Sequence, residues 1–231
     1  FKNYNNKKII IFCGPGNNGG DGVLIAQQLL KKNFFVNVCY PIIKAKTRIA
    51  KKAFLELSNK NIIVSDPELN KYDIIVDAIF GTGLKKPLNK SLVSLIDKIN
   101  KSKLEKISID MPSGVMTDNG GIQKKAIKAN ITLTFHRFKQ GQWLMPGKEY
   151  CGKINILNIG LANIDKQCSV KLNFPKKPKG PRLKDHKYSR GTCLIIAGEN
   201  LIGAAKLACL SASQSSLRAG SGICKLLVKE S

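Results

Sequence analysis

Strand-like and helix-like stretches alternate along the chain, glycine- and asparagine-rich turns follow the strands, and a proline- and lysine-rich break comes late. Together these predict an α/β protein. The expected fold is a doubly wound, Rossmann-like, mostly parallel sheet, followed by the first strand–helix–strand elements of a second α/β unit. KIIIFC, 8–13, is the first strand, an apolar run that stops at a glycine turn. GVLIAQQLLKK, 22–32, has helical spacing, and FFVNVCY, 34–40, makes the second strand. Residues 44–59 read as an amphipathic helix and NIIVS, 61–65, as a short strand. KYDIIVDAIF, 71–80, is a continuous apolar run of the kind buried on both faces of a parallel sheet. A helix over 89–100 leads to a strand at KISIDMP, 106–112, and ITLTFH (131–136) and KINILNIG (153–160) close the series. From about 165 to 190 the pattern breaks: NFPKKPKGPRLKDHKYSRG carries three prolines and reads as a linker. Beyond it come a strand at 192–198, a helix at 202–220 and a strand at 222–230, too few elements to bury a core alone.

The 231 residues, 43% of them hydrophobic, suit one large α/β domain plus part of another. The net charge of +24 would suit nucleic acid if it were focused on one face, but the lysines are scattered as short pairs, so no nucleic-acid partner is expected. No apolar run reaches the ~20 residues of a membrane span and no signal peptide is present, which predicts a cytoplasmic protein. Seven cysteines show no C-x-x-C pair and no metal-ligand spacing, as in a reduced compartment. The chain opens on Phe1 and enters its first strand at once, so it is expected to lack its true N-terminus.

Three strand ends carry chemistry. The first, FCGPGNNGGDG, contains G-x-G-x-x-G (Gly14, Gly16, Gly19) with Asn17, Asn18 and Asp21. Such a turn lets the backbone approach a ligand at a helix N-terminus, but a hydride-carrier site also expects an acid about twenty residues on. The second strand ends CYPIIK and offers none. A tight turn with Asp21 capping the helix accounts for the aspartate, not for the paired asparagines. The second strand end, VDAIFGTGLKKP, offers Asp77, Gly81, Gly83, Lys85 and Lys86, and the third, SIDMPSGV, offers Asp110 and Ser113. Asn18, Asp77 and Ser113 make an all-oxygen set for a hard cation, although spacing alone favours a carboxylate satisfied by loop amides. Asp110 is equally a turn cap and a general base.

GPGNNGGDG, DAIFGTGL and IDMPSGV, in this order and spacing, resemble the NAD(P)H-hydrate epimerase domain, and TLTFHRFKQGQWLMPGKEYCGKINILNIGL looks like its C-terminal section. HKYSRGTCLIIAGENLIGAAKLACLSASQSSLRAGSGICKLLV, 186–228, is similar to the opening of the ADP-dependent NAD(P)H-hydrate dehydratase domain, which has a ribokinase-like fold. The resemblance implies an epimerase domain over 1–164, a linker over 165–190 and a dehydratase fragment over 191–231, the two domains of a repair enzyme truncated at both ends. It implies that Asn17, Asn18, Gly19, Gly20 and Asp21, with Gly81, Thr82, Gly83, Leu84, Lys85, Lys86 and Pro87, bind the hydrated NADH or NADPH. It further implies that Asn18, Asp77 and Ser113 hold potassium (K+), that Asp110 contacts the substrate, and that Ala204 touches substrate in the second domain, whose ADP site lies beyond Ser231; Asp110 is then the candidate catalytic proton acceptor. A homo-oligomer is compatible with it. One departure is His136-Arg137-Phe138, where the family has small residues before the lysine at Lys139. The main rival, an NAD-dependent oxidoreductase, lacks the ribose-binding acid.

Overall fold

The computed structural model describes residues 7–42, 47–58, 62–84, 87–162, 170–173, 180, 182–196 and 202–227. The chain divides into two compact units, Phe1–Asn163 and Ile164–Ser231.

In the first unit, six strands form one sheet: β1 (Lys8–Cys13), β2 (Phe35–Cys39), β3 (Ile74–Ala78), β4 (Glu105–Ile109), β5 (Ile131–Phe135) and β6 (Lys153–Leu157). Their order is β2-β1-β3-β4-β5-β6 and every neighbouring pair is parallel. The apolar runs of β1 and β3 are buried on both faces, as their continuous hydrophobicity requires. Period-two alternation sorts their side chains. Ile9, Ile11, Ile74 and Val76 pack with Val23, Ala26 and Leu29 of α1 (Asn17–Lys31) and Leu57 of α2 (Arg48–Ser58). Ile10, Phe12 and Ile75 pack with Leu92, Ile96 and Ile99 of α3 (Lys90–Lys101). Helices on both faces make the sheet doubly wound. Each fully buried isoleucine contributes roughly 1.5–3 kcal/mol through apolar burial. Asn89 starts α3, its side chain accepting from the Leu92 N–H at 2.9 Å. Among the described residues no long helix joins β4 to β5. On that side of the sheet Ile107, Leu133, Phe135 and Leu157 line an apolar groove of about 360 Å³.

Two elements differ from the sequence reading. NIIVS, expected as a strand, makes a single parallel bridge, Val38 with Ile63, since only the Val38 N–H and carbonyl reach it. Helix α1 begins at Asn17 and not at residue 22, so Asp21 lies inside the helix and does not cap it; Gly16 holds the cap position with no side-chain bond. The glycines at 19, 20 and 22 hid this start, because their low helix propensity masks a turn that tertiary contacts impose.

In the second unit, β7 (Thr192–Ile196) and β8 (Ile223–Leu227) pair in parallel through α5 (Ile202–Arg218), with Cys193 opposite Cys224. No described helix is long and apolar enough to cross a membrane. Cys13, Cys39 and Cys151 are buried free thiols, while Cys168 lies outside the described residues. Burial pushes the Cys39 thiol up to about 11 and the Cys151 thiol up to about 12. Both thiols are therefore expected to resist iodoacetamide at neutral pH in the native protein and to react after denaturation, as peptide mass spectrometry would show.

Candidate active site

From β1 the chain winds to one side of the sheet (β2) and from β2 it crosses to the other side of β1 (β3), so the loops leaving β1 and β3 diverge. Parallel sheets bind ligands in the crevice at such a point. The glycines of the first loop close that end of the sheet. A Cβ on Gly14 would lie 1.7 Å from the Ile79 carbonyl oxygen, and one on Gly19 1.9 Å from the Gly14 carbonyl oxygen. A Cβ on Gly22 would meet the Ala78 Cβ at 2.6 Å, where α1 lies against the sheet. Gly16, which also lines the cavity, differs: nothing stands within 4 Å of its Cβ position. The resulting cavity, about 440 Å³, is lined by Asn17, Asn18 and Asp21 on α1, by Thr47, by Gly81, Thr82 and Gly83 after β3, and by Asp110 after β4. That volume falls within the ordinary range of small-molecule sites.

Behind this wall Asp77 is fully buried on β3. Its Oδ1 accepts from the Ser113 hydroxyl (2.6 Å) and the Ile79 N–H (3.2 Å). Its Oδ2 accepts from the Ser113 N–H (2.8 Å) and the Ser108 hydroxyl (2.9 Å). Ser108 is the register partner of Asp77 on β4, which is why it arrives there. The Ser113 hydroxyl also accepts from the Phe80 N–H at 2.9 Å, tying the third loop to the second. Burial pushes the Asp77 carboxyl above the usual range, and these donors pull it back. No cationic side chain among the described residues touches it.

Asp110 sits just past β4 with φ +65°, an uncommon value for a residue other than glycine. Its side chain caps no turn. Oδ1 meets the Lys139 ammonium at 2.5 Å, with Thr134 Oγ1 at 3.4 Å and the Phe135 N–H at 3.5 Å. Oδ2 faces the second loop: a Cβ on Gly81 would lie 3.1 Å from it and 3.2 Å from the Asn18 amide oxygen. Gly81 is thus small because two polar side chains converge on it. The Asn18 amide nitrogen is buried without a partner, a group that a bound molecule would satisfy. Across the cavity, burial and the nearby Asp110 both raise the Asp21 carboxyl.

Of the residues singled out in the sequence, Asn17, Asn18, Asp21, Gly81, Thr82, Gly83 and Asp110 line one cavity, and Asp77 and Ser113 meet beneath it. Gly19 and Gly20 are buried in the first turn of α1, and Leu84 belongs to the core with Ile75 and Leu92. Pro87 is exposed and does not line the cavity, while Lys85 and Lys86 lie outside the described residues. Ala204 is exposed on α5 of the second unit. Sequence reasoning gave no part to Ser108, Thr134 or Gln142, and named Lys139 only as the lysine that follows the departing stretch His136-Arg137-Phe138. The signal for Ser108 and Thr134 was a polar residue at an inward position of a strand, Ser108 in KISI and Thr134 in ITLTF.

Residues 1–141 match the family described as YjeF-related protein N-terminus. The chain is 34% identical over 233 residues to a bifunctional NAD(P)H-hydrate repair enzyme Nnr of Thermofilum pendens, covering 94% of this chain and 43% of that protein. The chain is 32% identical over 165 residues to an NAD(P)H-hydrate epimerase of Oenococcus oeni, covering 69% of this chain and 78% of the relative. A crystal structure of yeast ynu0, YNL200c, superposes with a TM-score of 0.54 at 25% identity, covering 66% of this chain and 65% of that one. The chain spans about half the length of the bifunctional relatives it matches.

Proposed function

The chain belongs to the YjeF-related N-terminal family, and from that premise we propose that its first unit interconverts the R and S forms of hydrated NADH and NADPH, as a cytoplasmic repair isomerase. The observation that carries this reading is Asp110 Oδ2, turned towards the loop wall where Asn18 and Gly81 meet, with Oδ1 already matched to an ammonium. In the hydrate, one ring carbon bears both a hydroxyl and the ring nitrogen. Asp110 Oδ2 takes the hydroxyl proton, and the carbon–nitrogen bond breaks, opening the ring, with its electron pair left on nitrogen and shared with the double bond still joined to it. After rotation of the freed carbonyl, nitrogen attacks its other face and the proton returns to oxygen. No electron or proton is consumed, and no hydride acceptor is required, which separates this reaction from an oxidoreductase. The unpartnered Asn18 amide and the open face of Gly16 suit the polar, phosphate-bearing remainder of the substrate.

The residues also fit potassium. Asp77 is a buried carboxylate with no cationic partner among the described residues, the Ser113 hydroxyl bonds to it, and the Asn18 amide oxygen stands at the loop wall by Gly81; all three offer hard oxygen. Such an ion would supply the missing counter-charge and stiffen the loops. Unfolding is expected about 3–5 °C higher in potassium chloride than in tetramethylammonium chloride of equal ionic strength, if the ion stands near ten times its Kd. Differential scanning fluorimetry reads the difference, and Asp77→Asn should erase it. By the same reading the second unit opens an ADP-dependent dehydratase that acts on the S hydrate in the longer protein.

Incubating the protein with one purified hydrate epimer and following the other by chromatography tests the main reading. Conversion no faster than the spontaneous rate would overturn it.

A further inference from the structure

Lys139 is a charged group bonded to Asp110 that the proposed chemistry gives no part. It follows β5 by four residues, and its side chain and that of Asp110 are only 16% and 12% exposed. Its ammonium has three N–H donors, and three oxygens take them: Asp110 Oδ1, Thr134 Oγ1 at 2.8 Å and the Phe135 carbonyl at 2.9 Å. None remains for a ligand, and Lys139 does not line the cavity. Gln142, fully buried, ties both residues by their backbones. Its Oε1 accepts from the Lys139 N–H at 2.9 Å, and its Nε2 donates to the Asp110 carbonyl at 2.8 Å. The Asp110 N–H in turn donates to the Leu133 carbonyl at 2.7 Å. The left-handed backbone of Asp110 is thereby held from its amide, its carbonyl and its side chain, the arrangement that lets an uncommon φ persist.

We propose that Lys139 is a positioning residue of the epimerase site: clamped by Gln142, it holds Asp110 Oδ1 so that Oδ2 alone is presented to the substrate. The proposal rests on the epimerase reading of the cavity. Its consequence is specific, because a group that spends all its donors on protein oxygens affects the proton transfer and not the capture of substrate.

In the intact protein, Lys139→Met is expected to lower kcat for epimerisation by about 100-fold with KM changed less than two-fold, the signature of an interaction felt in the transition state. Lys139→Arg, which keeps the charge but fits the three oxygens differently, should recover at least ~10-fold of that loss. Circular dichroism melts run beside the kinetics. If Lys139→Met does not fold, Lys139→Arg decides: the proposal then requires its kcat to fall at constant KM. Wild-type kcat in whichever variant is read, or a raised KM with kcat unchanged, overturns the positioning role while leaving the epimerase intact. A wild-type protein that does not epimerise removes both.

Discussion

Asp110→Asn should lower the epimerisation rate by about 10²–10⁴-fold, the usual range for loss of a positioned general base. The amide keeps the size and shape of the carboxylate but accepts no proton at Oδ2, and it cannot neutralise Lys139. The partly buried ammonium loses its counter-charge, and a stability loss of about 1–3 kcal/mol accompanies the kinetic one, below the cost in a dry core because the pair retains some solvent contact. Following the approach to R/S equilibrium from a single epimer, with the spontaneous rate subtracted, measures the first effect. A thermal melt measures the second. A variant that epimerises at the normal rate removes Asp110 from the chemistry and with it the reading of the cavity.

The largest structural effect is expected from Gly14→Ala. Its new methyl would start 1.7 Å from the Ile79 carbonyl oxygen, between the ends of two central strands that are hydrogen-bonded to each other, Gly14 N–H to Ala78 carbonyl at 3.0 Å. No flexible side chain can give way, so the loops must part. A loss of about 3 kcal/mol or more is expected, lowering the unfolding midpoint by roughly 6–12 °C. Gly16→Ala is the internal control. Its methyl meets nothing within 4 Å, so stability changes by no more than about 1 kcal/mol, the cost of a poorer helix cap. Its methyl projects into the space left for the ligand, so KM should rise. Equal melting temperatures for Gly14→Ala and the parent would contradict this account of the glycine turn.

The contrast between these two glycines shows how much could be read beforehand. G-x-G-x-x-G announces a tight turn, and the run before it announces a buried strand, because a run apolar at every position cannot be exposed on either face. The linker expected over 165–190 falls partly outside the described residues. Which glycine packs and which stands open was not visible, because that depends on where the loop after β3 passes. The start of α1 was hidden for the same reason. That the Asp110 side chain caps no turn was not visible beforehand, and Lys139 was marked only by its place in the family's C-terminal section, not by any partner.

By itself, then, the order of residues determined the class of fold, the strands other than NIIVS and the three loops that carry polar groups, since periodicity and turn chemistry are local properties. Only the tertiary structure decided that Asp77 stands beside Ser108, that Lys139 consumes one oxygen of Asp110 and that the other faces the cavity. The two pairings join residues 31 and 29 positions apart. Parallel register and the path of the β5–β6 connection bring them together, and neither is written in any short stretch of the chain.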